Sequence, residues 1–185
     1  MTLIDPALRD VLRFAGVRRL YGTVIGDFPH VRAVLAGVFT DALTSDAAPD
    51  PAASHWLLDG AMRDLSVVFG ARGYLRTGEG AAFDEVLASL RAAAPARGMT
   101  GREFDEALGR AAEACFAYRR EAARSPGASD FLAGDVWLRA VLHRTADRRS
   151  GRIRPLPTEL TDPLMTELAL RLDRGDSFGI LGGRP

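Results

Sequence analysis

The stretch Pro29-His-Val-Arg-Ala-Val-Leu-Ala-Gly-Val-Phe-Thr-Asp-Ala-Leu43 decides the fold. Its apolar residues Val31, Val34, Leu35, Val38, Phe39 and Leu43 recur at intervals of three and four, which stacks them on one face of an α-helix instead of alternating them across a strand. Pro29 suits the first helical position, where its φ is already helical and its missing N–H leaves no bond unmade. A stripe this complete belongs to a helix lying against a core, so a buried central helix is expected from Pro29 onward.

The same period continues outward in both directions. Asp5 and Pro6 read as N-cap and first residue of a helix whose Leu8, Val11, Leu12 and Ala15 share a face up to Gly16. Val17, Leu20, Tyr21, Val24 and Ile25 predict a short second helix ending near Gly26. Beyond the central helix, Thr44 to Ala53 is rich in proline and acid and reads as a loop. Ser54 then caps a fourth helix with Leu58, Met62, Leu65, Val68 and Phe69, ending near Gly70 and Gly73. After a glycine turn at Gly78 to Gly80, Phe83, Val86, Leu87 and Leu90 mark a fifth that runs toward Pro95.

Thr100 and Glu103 form a capping box, in which the hydroxyl accepts from the N3 amide and the carboxylate reaches back. The sixth helix begins there, with Phe104, Leu108, Ala111, Cys115, Tyr118 and Ala122 inward, and stops at Ser125-Pro126-Gly127. A seventh from Asp130 is expected to bury Phe131, Leu138, Val141 and Leu142; an eighth from Asp162-Pro163 carries Leu164, Leu168 and Leu172 before Gly175. Only Leu65 to Phe69 and Arg152 to Leu156 have any strand character, too little for a sheet. The expected fold is all-α: a single domain over residues 1–175, a bundle of about eight helices with mostly antiparallel neighbours, followed by an apolar C-terminal tail over 176–185.

Composition narrows the chemistry. The 185 residues include no Lys, Asn or Gln, so every one of the 24 cationic side chains is Arg. Balanced against 24 acids, these give zero formal net charge, which removes the whole-molecule field that draws proteins to nucleic acid or anionic lipid. A DNA, RNA or membrane partner is therefore not expected. Met1-Thr-Leu-Ile-Asp-Pro6 has an acid where a secretory n-region needs cations, and no apolar run approaches a membrane span; the expected location is cytoplasmic. A single cysteine excludes an internal disulfide and a cysteine-based zinc cage.

Few residues group into a reactive pattern. His30, His55 and His143 fall on three different predicted helices and are the candidate metal ligands or acid–base groups; no Glu-x-x-His or His-Glu-x-x-His spacing accompanies them. No cofactor is predicted. Cys115 falls on a core face, where a thiol packs as a small hydrophobe. Arg144, Arg148, Arg149, Arg152 and Arg154 form the densest basic run; they read as a solvated cluster opposing a helix C-terminus, or as forks for a partner's carboxylates. In the tail, Phe178, Ile180 and Leu181 must dock either on their own domain or on a partner, and in the second case removing 176–185 leaves the domain folded.

Asp27-Phe-Pro-His-Val-Arg-Ala-Val-Leu-Ala-Gly-Val-Phe-Thr-Asp-Ala-Leu43 resembles the Phe-Pro-helix segment of small α-helical partner proteins that accompany multinuclear non-haem iron enzymes modifying ribosomal peptides. Asp130-Phe-Leu-Ala-Gly-Asp-Val-Trp-Leu138 resembles a later helix of that group. The resemblance implies a partner subunit of such an enzyme, and no residue's role is carried over from it. The residues themselves point first to a non-enzymatic accessory or adaptor protein that binds another protein, a peptide or its own copy. Its candidate contacts are Arg148, Arg149, Arg152, Phe178, Ile180 and Leu181. The alternative is a metal- or small-molecule-binding helical enzyme or sensor built on His143, His55 or His30.

Overall fold

The computed structural model describes residues 2–70, 80–95, 98–150 and 154–180. Its elements, in chain order, are α1 (Asp5–Val17), β1 (Arg19–Leu20), β2 (Thr23–Val24), a 3-10 turn (Ile25–Asp27), α2 (Pro29–Ala47), α3 (Pro51–Phe69), α4 (Ala81–Ala92), α5 (Gly101–Ala122), α6 (Asp130–Ala133), α7 (Val136–Ser150) and α8 (Thr158–Arg174). The fold is all-α, with eight helices among the described residues and one tiny antiparallel hairpin.

Helix α2 is the axis about which the others pack, touching α3, α5, α7 and α8. From Leu35 to Ser45 it is buried on every side, which goes beyond the one-sided stripe its spacing predicts. Its small residues explain this: Ala36, Gly37 and Ala42 let neighbours approach from directions the large residues leave open. The hydroxyls carried inside are satisfied locally, Thr40 donating to the Ala36 carbonyl and Thr44 to that of Thr40, both at 2.8 Å. Around α2, one continuous apolar core draws on all eight helices, including Leu8, Phe39, Leu65, Phe83, Trp137 and Leu164. Each large side chain fully buried there is worth about 1.5–3 kcal/mol in transfer free energy.

The Thr100–Glu103 capping box opens α5 as expected, with both reciprocal bonds formed. Six other local expectations are corrected. Val17 to Gly26 is not a helix: Arg19 pairs with Val24 and Leu20 with Thr23 across Tyr21 and Gly22, whose φ of 52° and 81° fit a type I′ hairpin turn. Helix α2 runs on through Thr44 to Ala47, so the loop shrinks to three residues, and α3 starts at Pro51 with Asp50 accepting from the Ala52 amide; the cap is Asp50, not Ser54. The expected seventh helix breaks at Gly134 into α6 and α7. Its Leu142 is 46% exposed, because Arg144 and Thr145 take inward positions beside Val141. Helix α8 starts four residues before Asp162, which places Pro163 inside it. Of the strand candidates, 65–69 is helix and 154–156 belongs to no helix or strand; 151–153, Gly73 and Gly78 lie outside the described residues.

Candidate binding groove

Two arginines of the run at the end of α7, Arg144 and Arg148, turn inward. Arg144 forms ion pairs with Asp41 of α2 and with Asp64 of α3, the latter at 3.0 Å; Arg148, one turn on, reaches Asp41 at 2.8 Å and Asp64 at 3.5 Å. Room for these two guanidiniums comes from Gly37 and Gly60, where any Cβ would stand 3.2 Å from the Arg144 fork and 2.9 Å from that of Arg148. Arg148 also lies 5.3 Å from the centre of the Trp56 ring, which packs on Phe104. Burial alone would discourage the Arg144 charge, but Asp41 and then Asp64 outweigh it and hold the guanidinium protonated more firmly than usual. The result is a neutral two-by-two lattice joining three helices. Arg144 and Arg148 are thus not part of a solvated cluster, and Arg148 has little surface to offer, whereas Arg154 is more than half exposed, 4.0 Å from Asp147. Arg149 is half-exposed and 3.6 Å from Asp105, while Arg152 lies outside the described residues.

The tail also turns inward. Phe178 and Ile180 are fully buried, with Phe178 against Phe39. Asp5, itself buried, accepts from the Ser177 hydroxyl at 2.6 Å and from the Phe178 amide at 3.2 Å, and it also takes both the amide and the hydroxyl of Thr2. Asp5 is therefore a tail clamp and not the helix cap its sequence position predicts. From the other side Arg171 donates to the Ser177 and Gly179 carbonyls. These apolar residues dock on their own domain; Leu181 lies outside the described residues.

The histidines are not brought together. His30, in the first turn of α2, stacks on Phe28; His55 lines a hollow of about 410 Å³ with Ser45, Asp46 and Ser54; His143 faces Asp147 at 3.5 Å, one turn along α7. Among the described residues, no group of three His, Cys, Asp or Glu side chains is placed to hold a metal ion. Cys115 is fully buried, and burial pushes its thiol up to about 12, away from the thiolate a nucleophile requires.

Open concave surface runs along α8. One cleft of about 580 Å³ has walls of Pro29, Ala33, Pro155, Leu156 and Pro157 and a rim of Asp27, His30, Arg32, Thr158 and Asp162. A second, the lower cleft, of about 500 Å³, lies between Leu12, Ala15, Gly16 and Leu35 on one side and Met165, Thr166, Ala169 and Leu172 on the other. Asp27 and Arg32 border both, so the clefts meet there, where Arg32 bonds Asp162 at 2.8 Å. The α8 wall is one helical face, Thr158, Asp162, Met165, Ala169 and Leu172, and spans about 21 Å at 1.5 Å per residue. Its rim charge is uneven: Asp162 is matched by Arg32, whereas Asp27 has no partner among the described residues.

None of Asp27, Arg32, Met165 or Ala169 stands out in the sequence as a site residue. The available signal is the width of the α8 pattern, in which Met165 and Ala169 extend the apolar set beyond the Leu164 and Leu168 core stripe. No helix among the described residues is long and apolar enough to cross a membrane. Neither a protein-family model, nor a curated protein, nor a solved structure matches the chain.

Proposed function

We propose that this chain is a non-enzymatic adaptor that holds a peptide segment of a partner protein in the groove between α2 and α8. The observation that carries this reading is the pair of adjoining clefts along a single face of α8, apolar in their walls and polar where they meet. Such a trough suits a segment presenting apolar side chains at its two ends and a polar group between them, recognised the way amphipathic helices and extended peptides are seated elsewhere. Met165 supports adaptability, since an unbranched thioether repacks around different side chains. Ala169 and Gly16 keep the lower cleft open by their small size.

The test is selection of binders from a random peptide library on the immobilised full chain. Peptides enriched on it are expected to lose about tenfold or more in affinity for Ala169→Arg, which puts a long cationic side chain into the lower cleft, and to bind Arg63→Glu, a change at an exposed position on α3, as they bind the parent. Binders indifferent to Ala169→Arg, or none enriched, would overturn the assignment of the groove.

A further inference from the structure

Tyr21 is in the wrong place for folding. It occupies the left-handed region at φ 52°, where glycine or asparagine costs least and a ring-bearing L-residue is strained. Its side chain is 92% exposed, so the protein's own core gains nothing from the ring. Backbone strain at a ring left exposed to solvent motivates a role for that ring in a contact outside the chain. Its neighbours fit the same conclusion: Val17 is 76% exposed and Leu20 45%, so an apolar tip projects on a turn made rigid by two paired residues on each side.

Cations surround this tip. Arg13, one helical turn before Val17, and Arg18 are exposed and have no ion-pair or hydrogen-bond partner among the described residues. Arg19 spends one N–H on the Gly22 carbonyl, at 3.0 Å, which leaves its charge uncompensated. A whole molecule of zero net charge thus carries a local positive collar around an apolar, aromatic point. From this we infer that the hairpin Val17 to Val24 is a second docking element, which inserts Tyr21 into an apolar pocket rimmed by aspartate and glutamate on a partner protein. Charge complementarity selects the acidic rim, and the apolar tip selects a pocket in place of a nucleic-acid strand, which gives Val17 and Leu20 no dry surface to cover; insertion into an anionic lipid surface is the rival that the experiment separates by the adducts it would form. The surface adjoins the α8 groove through Val24, yet it rests on a different observation and stands or falls separately.

The experiment replaces Tyr21 by photoreactive p-benzoylphenylalanine in the full chain, irradiates the native host, and maps adducts by mass spectrometry. Adducts on one protein, at an apolar site edged by acids, are expected; their yield should fall about tenfold in Arg18→Glu/Arg19→Glu and return when the mapped acids are changed to Arg. Adducts scattered over many proteins, formed on nucleic acid or lipid, mapped to a neutral or basic surface, unaffected by the charge reversal, or absent altogether would overturn the proposal. Tyr21→Asn supplies the second measurement. Its thermal midpoint should equal or exceed the parent's; a lower midpoint would mean that the ring serves the fold, and the inference would fail.

Discussion

Gly37 and Gly60 carry the sharpest residue-level requirement in the chain. A helix interior ordinarily loses about 0.5–1 kcal/mol to glycine relative to alanine, so both positions look like places to gain stability. The Arg144 and Arg148 forks reverse that reading, since a Cβ at Gly60 would come within 2.9 Å of an Arg148 nitrogen. A side-chain end moves easily when free, but this one is pinned between Asp41, Asp64 and Trp56. Gly60→Ala is therefore expected to destabilise the parent by about 1–3 kcal/mol, as overpacking does. In an Arg148→Ala background the same change should stabilise by about 0.5–1 kcal/mol, and urea unfolding of the four proteins measures both signs. Cys115 makes a pH prediction. Its thiol stays protonated in the fold to about 12, against an ordinary 9.0, so the unfolded chain ionises first as pH rises. The contribution of this thiol is complete below pH 9 and declines between about 9 and 12, by at most about 1.4 kcal/mol per pH unit. Alkaline denaturation series of parent and Cys115→Ala should diverge only in that window; parallel curves would refute the assignment.

At the scale of the element, end signals decide more than periodicity. Asp50 before Pro51 is an N-cap and first-position pair, and its carboxylate takes the Ala52 amide at 2.9 Å. Asp50→Ala is expected to cost about 1 kcal/mol in a thermal or denaturant midpoint, the usual worth of such a cap. Ser54, which has equal cap chemistry in the sequence, instead faces Ser45, hydroxyl to hydroxyl at 2.6 Å. The core faces of α1, α2, α3, α4 and α5 were legible because burying apolar area is a one-dimensional pattern: Leu8, Phe39, Leu65, Phe83 and Leu108 all lie inward where spacing puts them. The hairpin was not legible, because Val17, Leu20, Val24 and Ile25 match a helical period by coincidence and only Gly22 after an aromatic hints at a turn. The groove and the ion lattice were illegible for a different reason. Asp41 and Arg144 are 103 positions apart, and Arg32 meets Asp162 only after α8 has packed on α2. Which charges become partners is decided by that packing, not by local spacing.

Across the whole molecule, the two ends of the chain are stitched into one unit, and this governs what can be removed. Asp5, itself bonded by Thr2, holds Ser177 and Phe178; Arg9 reaches the Asp176 carbonyl at 2.5 Å and lies 4.9 Å from the Phe178 ring centre, and Tyr118 of α5 donates to the Ile180 carbonyl at 3.2 Å. A tail that served only a partner would be dispensable for folding. Here Phe178 and Ile180 belong to the same apolar core as Phe39 and Leu164, so their loss is a core loss. Phe178→Ala should cost about 3–5 kcal/mol, a large part of the roughly 5–15 kcal/mol by which a domain of this kind is held folded. Asp5→Ala removes the acceptor for the Phe178 amide and the Ser177 hydroxyl and should cost about 1–3 kcal/mol alone. Because both changes release the same segment, the double variant should lose less than the sum, with a coupling of about 0.5–3 kcal/mol in a denaturant cycle. Strict additivity, or a Phe178→Ala protein as stable as the parent, would detach the tail from the core and return it to the list of partner surfaces.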